Sequence, residues 1–358
     1  MRIVIVAILG WLCISKSVAQ SNAPKYSNEF LAIGVNARAL GMANAFTSIA
    51  SDVSAGYWNP SGLTQLEYKY DISLMHAQYF AGIANYDFLG FATQIDSASA
   101  LGFSVIRFGI DDIPDTRFLY DANGALNYDN IQFFSASDYA FLFSYARVIN
   151  SLGGLSIGGN VKIIYRHAGD FATAWGYGLD FSAMKKINHL SIGLMLRDIT
   201  GTYNAWSHNT ELLADIYTKT NNVIPENSIE ITLPRAILGV SYQLNIKSIF
   251  HVLFSMDLET TFDGKRNTVI KSNTVSIDPK FGLELDYIST IFLRFGAGQF
   301  QEIQNFDRSY SRVYQPNFGV GVKIQNFNID YALTDIGDQA ETPYSHVISL
   351  KLGLDGKK

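Results

Sequence analysis

Trp175-Gly176-Tyr177-Gly178-Leu179-Asp180-Phe181-Ser182 alternates large apolar residues with glycine, aspartate and serine, one position at a time. Successive side chains of an extended strand point to opposite faces. One face of this segment is therefore aromatic and aliphatic, and the other is small or polar. The same split recurs upstream, with Leu155, Ile157, Gly159, Val161, Ile163 and Tyr165 opposite Ser156, Gly158, Asn160, Lys162, Ile164 and Arg166. It recurs downstream in Leu190, Ile192, Leu194 and Leu196 opposite Ser191, Gly193, Met195 and Arg197, and in Phe318, Val320, Val322 and Ile324 opposite Gly319, Gly321 and Lys323.

Reading outward from these segments predicts fourteen strands, near 71–79, 86–94, 99–108, 137–148, 154–166, 174–185, 190–200, 230–244, 250–262, 274–287, 291–300, 313–324, 327–335 and 345–354. Their lengths suit tilted membrane strands of roughly 9 to 11 residues. A soluble β-sandwich also alternates, but its strands are usually about five or six residues long, and its polar face carries Lys, Glu and Thr rather than repeated glycine. The connections decide the matter. Those at 109–136, 201–229, 263–273 and 301–312 are long, whereas those near 96–97, 150–151, 186–189, 245–249, 288–290 and 325–326 are short. Long outside loops alternating with tight periplasmic turns mark an outer-membrane barrel, with both termini in the periplasm. The expected fold is all-β: a transmembrane antiparallel barrel of about fourteen strands over 71–358, preceded by a segment over 20–70.

Composition agrees. Aromatic residues make up 13%, and there are 29 glycines against 8 prolines. The first residues read as a signal peptide over 1–19: Met1-Arg2, the apolar run Ile3 to Ile14, then Ser17-Val18-Ala19 as a cleavage site. That run is too short for a bilayer span, which needs roughly 20 residues. Removing it takes two of the 27 basic residues and the single cysteine, leaving 25 against 32 acidic residues, a net −7. An acidic, exported, cysteine-free chain excludes a disulfide scaffold and argues against nucleic acid as partner; outer-membrane lipid is the expected surround.

A charge at the bilayer midplane costs roughly 2 to 4 kcal/mol. The strand charges Arg147, Lys162, Arg166, Asp180, Arg197, Asp257, Glu259, Glu284, Asp286, Arg294, Lys323, Asp330 and Lys351 are therefore expected to face the lumen and to pair there. No nucleophile-elbow, zincin or P-loop pattern occurs, and the six histidines lie far apart in sequence, so no catalytic residue and no enzyme activity is expected. His76 and His251 sit on strands with an inward expectation. Asp121-Ala122-Asn123-Gly124 hints at calcium but lacks the remaining loop ligands. No metal and no cofactor is assigned.

The segment before the barrel lacks period two and is dense in small residues, as in Phe30-Leu31-Ala32-Ile33-Gly34-Val35-Asn36-Ala37-Arg38-Ala39-Leu40-Gly41-Met42-Ala43-Asn44-Ala45-Phe46. Asp52-Val53-Ser54-Ala55-Gly56 and Tyr57-Trp58-Asn59-Pro60-Ser61-Gly62-Leu63 follow. Asn tolerates turn conformations and Pro fixes φ without needing a donor, so Asn59, Pro60 and Gly62 are expected to form a rigid turn. These three runs resemble the N-terminal signature of the PorV/PorQ family within the FadL-like outer-membrane barrels, with serine where the Asn-Pro-Ala type motif has alanine. The resemblance implies a hatch plugging a fourteen-stranded barrel, and a non-enzymatic scaffold role in type IX secretion, with translocon proteins and secreted cargo as partners. Binding would fall on the long loops, through Phe118, Tyr120, Tyr128, Phe133, Phe134, Tyr203 and Trp206. The alternative is passive transport of hydrophobic molecules by a FadL-type route. That requires an apolar path between hatch and wall, and a side opening where a strand is kinked.

Overall fold

The computed structural model describes residues 27–355, apart from 122, 224–226, 248 and 335–344. The signal peptide read at 1–19 and the first hatch residues lie outside the described residues. The wall begins with β1 (Tyr70–Tyr79), β2 (Ala84–Gln94), β3 (Ser99–Asp115), β4 (Gln132–Ile149), β5 (Leu155–Ala168), β6 (Ala172–Ile187) and β7 (Leu190–Arg197). There follow β8 (Thr202–His208), a helix Thr210–Lys219, β9 (Ser228–Thr232), β10 (Arg235–Ile246), β11 (Phe250–Thr261) and the two-residue β12 (Ile270–Lys271). β13 (Ser276–Tyr287), β14 (Ile291–Gln304), β15 (Tyr310–Ile324), β16 (Phe327–Thr334) and β17 (Ser345–Leu354) complete it.

All pairings are antiparallel, and β17 closes onto β1 from Tyr70↔Leu354 to Gln78↔His346. β6 pairs with β7 at one end and with β8 at the other, and β9 leads into β10, so each of these couples is one interrupted wall strand. β12 only adds to the side of β13. The result is a closed fourteen-strand barrel, as expected. Closure removes the open edges that a hydrocarbon environment could not satisfy.

Two loops differ from expectation. β3 and β4 run on as a ribbon, shrinking the connection read at 109–136 to 116–131, and 201–229 contains two strands and a helix. Tyr203 and Trp206 are therefore strand residues, and Phe133 and Phe134 lie on β4. The alternation faded at these places because Asp111-Asp112 and Asp198-Ile199-Thr200-Gly201 each put surplus residues into a strand and shift the period.

The outer face is apolar and exposed: Leu74, Leu89, Phe143, Trp175, Tyr177, Phe254, Phe295 and Ile348 all point away from the barrel. A continuous surface of this kind is made for hydrocarbon. Twelve of the thirteen charges expected inside do face the lumen, and Arg147 does not: it shares the outward face with Phe143 and Tyr145, close to the turn that ends β4. There it stands close enough to Asp96, in the turn after β2, to act on that carboxylate, so it has a charge partner outside the lumen. His251 faces in and meets Asp286 at 2.9 Å, whereas His76 faces out. His76 Nδ1 lies 2.7 Å from Asp87, whose other oxygen meets Arg107 at 3.4 Å, so the charges on this outward patch are paired.

Candidate functional site

The hatch, Ser27 to Leu66, threads the lumen as short helical turns, including Ala37–Leu40, Ala55–Trp58 and Pro60–Gln65. Turns this short cannot stand alone, and the wall supplies what they lack. Where hatch backbone presses on a strand, the inward residue is glycine. A Cβ on Gly158 would lie 2.4 Å from Ser61 N; on Gly193, 2.5 Å from Thr47 O; on Gly296, 2.3 Å from Ala43 N. The small face that marked the strands in sequence is thus a set of sockets for hatch backbone.

The sequence-predicted turn lies at the centre of this packing. Asn59 Nδ2 donates to Thr47 O at 2.8 Å, and Asn59 Oδ1 accepts from Ser61 Oγ at 2.5 Å. Ser61 N donates to Ser182 Oγ of the wall at 2.9 Å. Pro60 opens the following helical turn, where its missing donor costs nothing. Gly62 passes so close to Ala50 O that a Cβ would sit 2.0 Å away.

The hatch meets two different walls. On β1 to β5 the contact is apolar: Phe30, Val35, Val53, Tyr57, Trp58 and Leu63 pack against Met75, Tyr79, Tyr86, Phe88, Ile106 and Leu142. The Trp58 Nε1 proton goes to Val35 O at 2.9 Å, so its ring is buried without an orphan donor. On β10 to β16 the contact is ionic. Arg38 reaches out of the hatch and donates Nε and Nη2 to Glu284 at 2.8 and 2.7 Å. Glu284 also accepts from Arg294 Nε at 2.6 Å, and Arg294 Nη1 donates to Asp330 at 2.6 Å. Asp257 accepts the backbone N–H groups of Phe46 and Thr47 at 3.0 and 2.9 Å. Arg38 stands alone in a run of small residues, which is the one signal in sequence that could have singled it out.

Between the two walls, the strand made of β7 and β8 is broken by a bulge, across which Ile199 N still donates to Leu179 O of β6 at 2.9 Å. Arg197 faces Arg235 and Thr202 faces Thr232, so five steps along one strand match three along the other, and two residues are surplus. Asp198 and Gly201 take positive φ to accommodate them. Inside the break, Lys162 bridges Asp180 and Asp198, and Thr202 Oγ1 also donates to Asp198. Outside it stand the exposed Tyr177, Leu179, Phe181 and Ile199. Arg197 borders the break and donates to Leu31 O and Tyr57 O of the hatch, its guanidinium 4.3 Å from the Tyr57 ring centre.

Among the described residues, two polar cavities lie at opposite ends of β10 to β16. One, of about 490 Å³, opens toward the long loops and is lined by Asn44, Thr261, Asp278, Gln315, Asn317 and Thr334 among others. The second, of about 270 Å³, lies toward the short turns and is lined by Arg38, Asp52, His251, Asp286, Lys323 and Lys351 among others. Over the first stands the loop after β11. There partial burial would raise the Asp263 carboxyl, but Arg266 bonds both its oxygens and holds it below the ordinary carboxylate value.

The aromatic residues proposed as partner contacts are not one cluster. Phe118, Tyr120, Tyr128 and Phe133 are 49 to 69% exposed around the β3–β4 loop. Phe134 packs edge-on to Phe171, 5.0 Å between ring centres. Tyr203 faces outward from the wall, whereas Trp206 faces in beneath the Arg166 guanidinium at 5.0 Å. Asp121 caps its own turn, accepting from Asn123 N and Ala125 N at 2.8 and 2.9 Å.

No protein-family model matches the chain, and no curated protein matches it. Solved structures do. The toluene transporter TbuX of Ralstonia pickettii is 13% identical over 90% of this chain and 98% of that one, with a TM-score of 0.53. The P. putida toluene transporter TodX is 11% identical over 90% and 99%, with a TM-score of 0.56. A Pseudomonas aeruginosa FadL homologue is 12% identical over 88% and 97%, with a TM-score of 0.52. Identities this low speak for architecture and nothing finer: the chain has the fold of the FadL-type outer-membrane barrels.

Proposed function

We propose that the chain is a passive transporter of small hydrophobic molecules in the bacterial outer membrane, with its short turns in the periplasm. The observation that carries this reading is where the apolar contact between hatch and wall ends. Leu31, Tyr57 and Leu142 lie at its margin and also border the break at Asp198–Gly201. A hydrophobic solute moving along that contact would stay out of water and leave through the wall into hydrocarbon. This surface suits such a solute better than the two cavities along β10 to β16, which are lined by charges and amides, and at the exit the charges of Lys162, Asp180 and Asp198 are paired with one another. The folds sharing this architecture include two toluene transporters, which agrees with the reading.

The test is uptake of radiolabelled toluene by cells producing the chain against cells with an empty vector. Uptake above background is expected. Deleting Ile199 and Thr200 removes the two residues surplus to β9 and β10, leaving a single-residue bulge against β6, and should return uptake to background while the barrel keeps its heat-modifiable migration. Wild-type uptake at background overturns the function; undiminished uptake in the deletion overturns the side exit.

A second reading is the PorV/PorQ-type scaffold for type IX secretion, which the β3–β4 loop favours. It is folded, with a bridge Tyr120↔Leu126 and Arg117 paired to Asp115 at 2.6 Å, yet it exposes several aromatic rings beside Asp111, Asp112 and Asp129. Ordered exposed aromatics are a usual mark of a protein contact. Purification in mild detergent would recover a stoichiometric protein partner, lost when Tyr120 and Tyr128 become serine; a solitary chain overturns this reading.

A further inference from the structure

We infer that the polar half of the lumen is a second conduit, for small hydroxyl-rich solutes, closed at its waist by the hatch segment Gly41–Thr47. The two polar cavities lie at opposite ends of the same six strands, β10, β11 and β13 to β16. Each reaches exposed residues at its own end, Lys265 and Asn267 on the loop side and Glu67 and Ser289 on the turn side. Of the hatch, Leu40, Ala43 and Asn44 border the upper cavity, and Arg38, Ser51, Asp52 and Gln65 border the lower.

That segment fills the waist by contact with glycines. A Cβ on Gly282 would meet Met42 Cβ at 2.9 Å, one on Gly319 would meet Gly41 Cα at 3.2 Å, and one on Gly239 would meet Thr47 Cβ at 2.9 Å. Its two ends are pinned by ionic anchors, Arg38 to Glu284 on one side and Asp257 to the Phe46 and Thr47 amides on the other. Loosening these anchors frees the segment from β10 to β16, while Phe46, edge-on to Trp58 with ring centres 6.0 Å apart, still ties it to the apolar contact.

The lining names the solute. Among the described residues, Asn44, Thr261, Gln315, Asn317 and Thr334 line the upper cavity with amide and hydroxyl groups. Such groups both donate and accept hydrogen bonds, as a hydroxyl-rich solute does. The charges beside them largely cancel: Arg235 and Lys280 both pair with Glu259, at 3.4 and 2.6 Å. A neutral solute fits such a lining better than an ion of either sign.

The full chain in liposomes, assayed by osmotic swelling in arabinose, tests this. Wild type should swell no faster than protein-free vesicles. The double variant Arg38→Ala/Asp257→Ala loses charge-assisted bonds at both ends of the segment and should swell about tenfold faster or more. Asp257→Asn, which keeps the shape, should fall between and serves if the double variant does not fold. Toluene uptake should stay at the wild-type level, or at background if the transport reading fails, so the two inferences stand or fall separately. Swelling unchanged in variants with native migration overturns the conduit. So does fast swelling of the wild type, or a joint rise of arabinose and toluene, which would mean that the hatch leaves as one body.

Discussion

The hatch of this barrel is held by two walls that work on different principles. Along β1 to β5 it is held by area: aromatic and aliphatic side chains interlock, and no single contact is decisive. Along β10 to β16 it is held at points, by Arg38, Glu284, Arg294, Asp330 and Asp257. Apolar burial is non-directional and scales with area, so such a contact can slide or be parted by another apolar molecule at small cost. An ionic anchor is directional and fails all at once, because the partner left behind is a buried charge. One side is thus suited to admit a hydrophobic guest and the other to keep the hatch in register while it does so.

The largest test of this division removes the hatch altogether. Deleting 27–66 leaves the inward glycines facing empty space, and the barrel, whose ladders close without the hatch, should still fold. In planar bilayers it should show large, steady conductance where the full chain shows none. Unchanged conductance would mean that the wall collapses inward or that the hatch is not the seal.

Next comes Glu284→Ala. Glu284 is buried between two guanidinium groups, and its loss strands Arg38 and leaves Arg294 with Asp330 alone, so the cost should be about 3 to 5 kcal/mol. Unfolding in urea from detergent micelles measures it, with Trp58 fluorescence reporting the hatch. A loss below about 1 kcal/mol, the size of an exposed pair, would show that water reaches the network and that the anchor is weak.

Ser61→Ala probes the junction of the two walls. The serine hydroxyl is the only described donor to Asn59 Oδ1, and Asn59 in turn holds Thr47. Removing it leaves a buried acceptor unpaired, at about 1 to 3 kcal/mol. Serine in place of the alanine of the resembled motif is then a change of bonding and not merely of volume, and a neutral result in the same urea assay would refute that.

The barrel was legible in sequence because lipid and lumen impose their pattern on every second residue. Trp175 to Phe181 face out and Gly176 to Ser182 face in as the alternation requires. What failed to show was whatever breaks the period. The strand read at 190–200 ran through the irregularity at Asp198 to Thr200 and was ended at Gly201, so β8 was missed and β9 was caught only from Glu230, although Tyr203 and Trp206 sit on opposite faces of a strand. Arg147 was assigned by chemistry, as a charge that should avoid lipid, where its position on β4 says otherwise. The division of the lumen was not legible at all. Arg38 and Glu284 are 246 residues apart, and only the register of closure brings them together.

The smallest expected effect lies on the apolar wall. Ile106 is fully buried among Phe88, Leu142 and the hatch, and Ile106→Val removes one methylene. Such a change typically costs about 0.5 to 1.5 kcal/mol. If the apolar contact is held by area, that loss should appear in full and nothing else should change: arabinose stays excluded, and toluene uptake holds or rises slightly because the contact parts more easily. A loss of several kcal/mol, or a leak to arabinose, would mean that this wall too is held at a point. The distinction between the two sides of the lumen would then not stand.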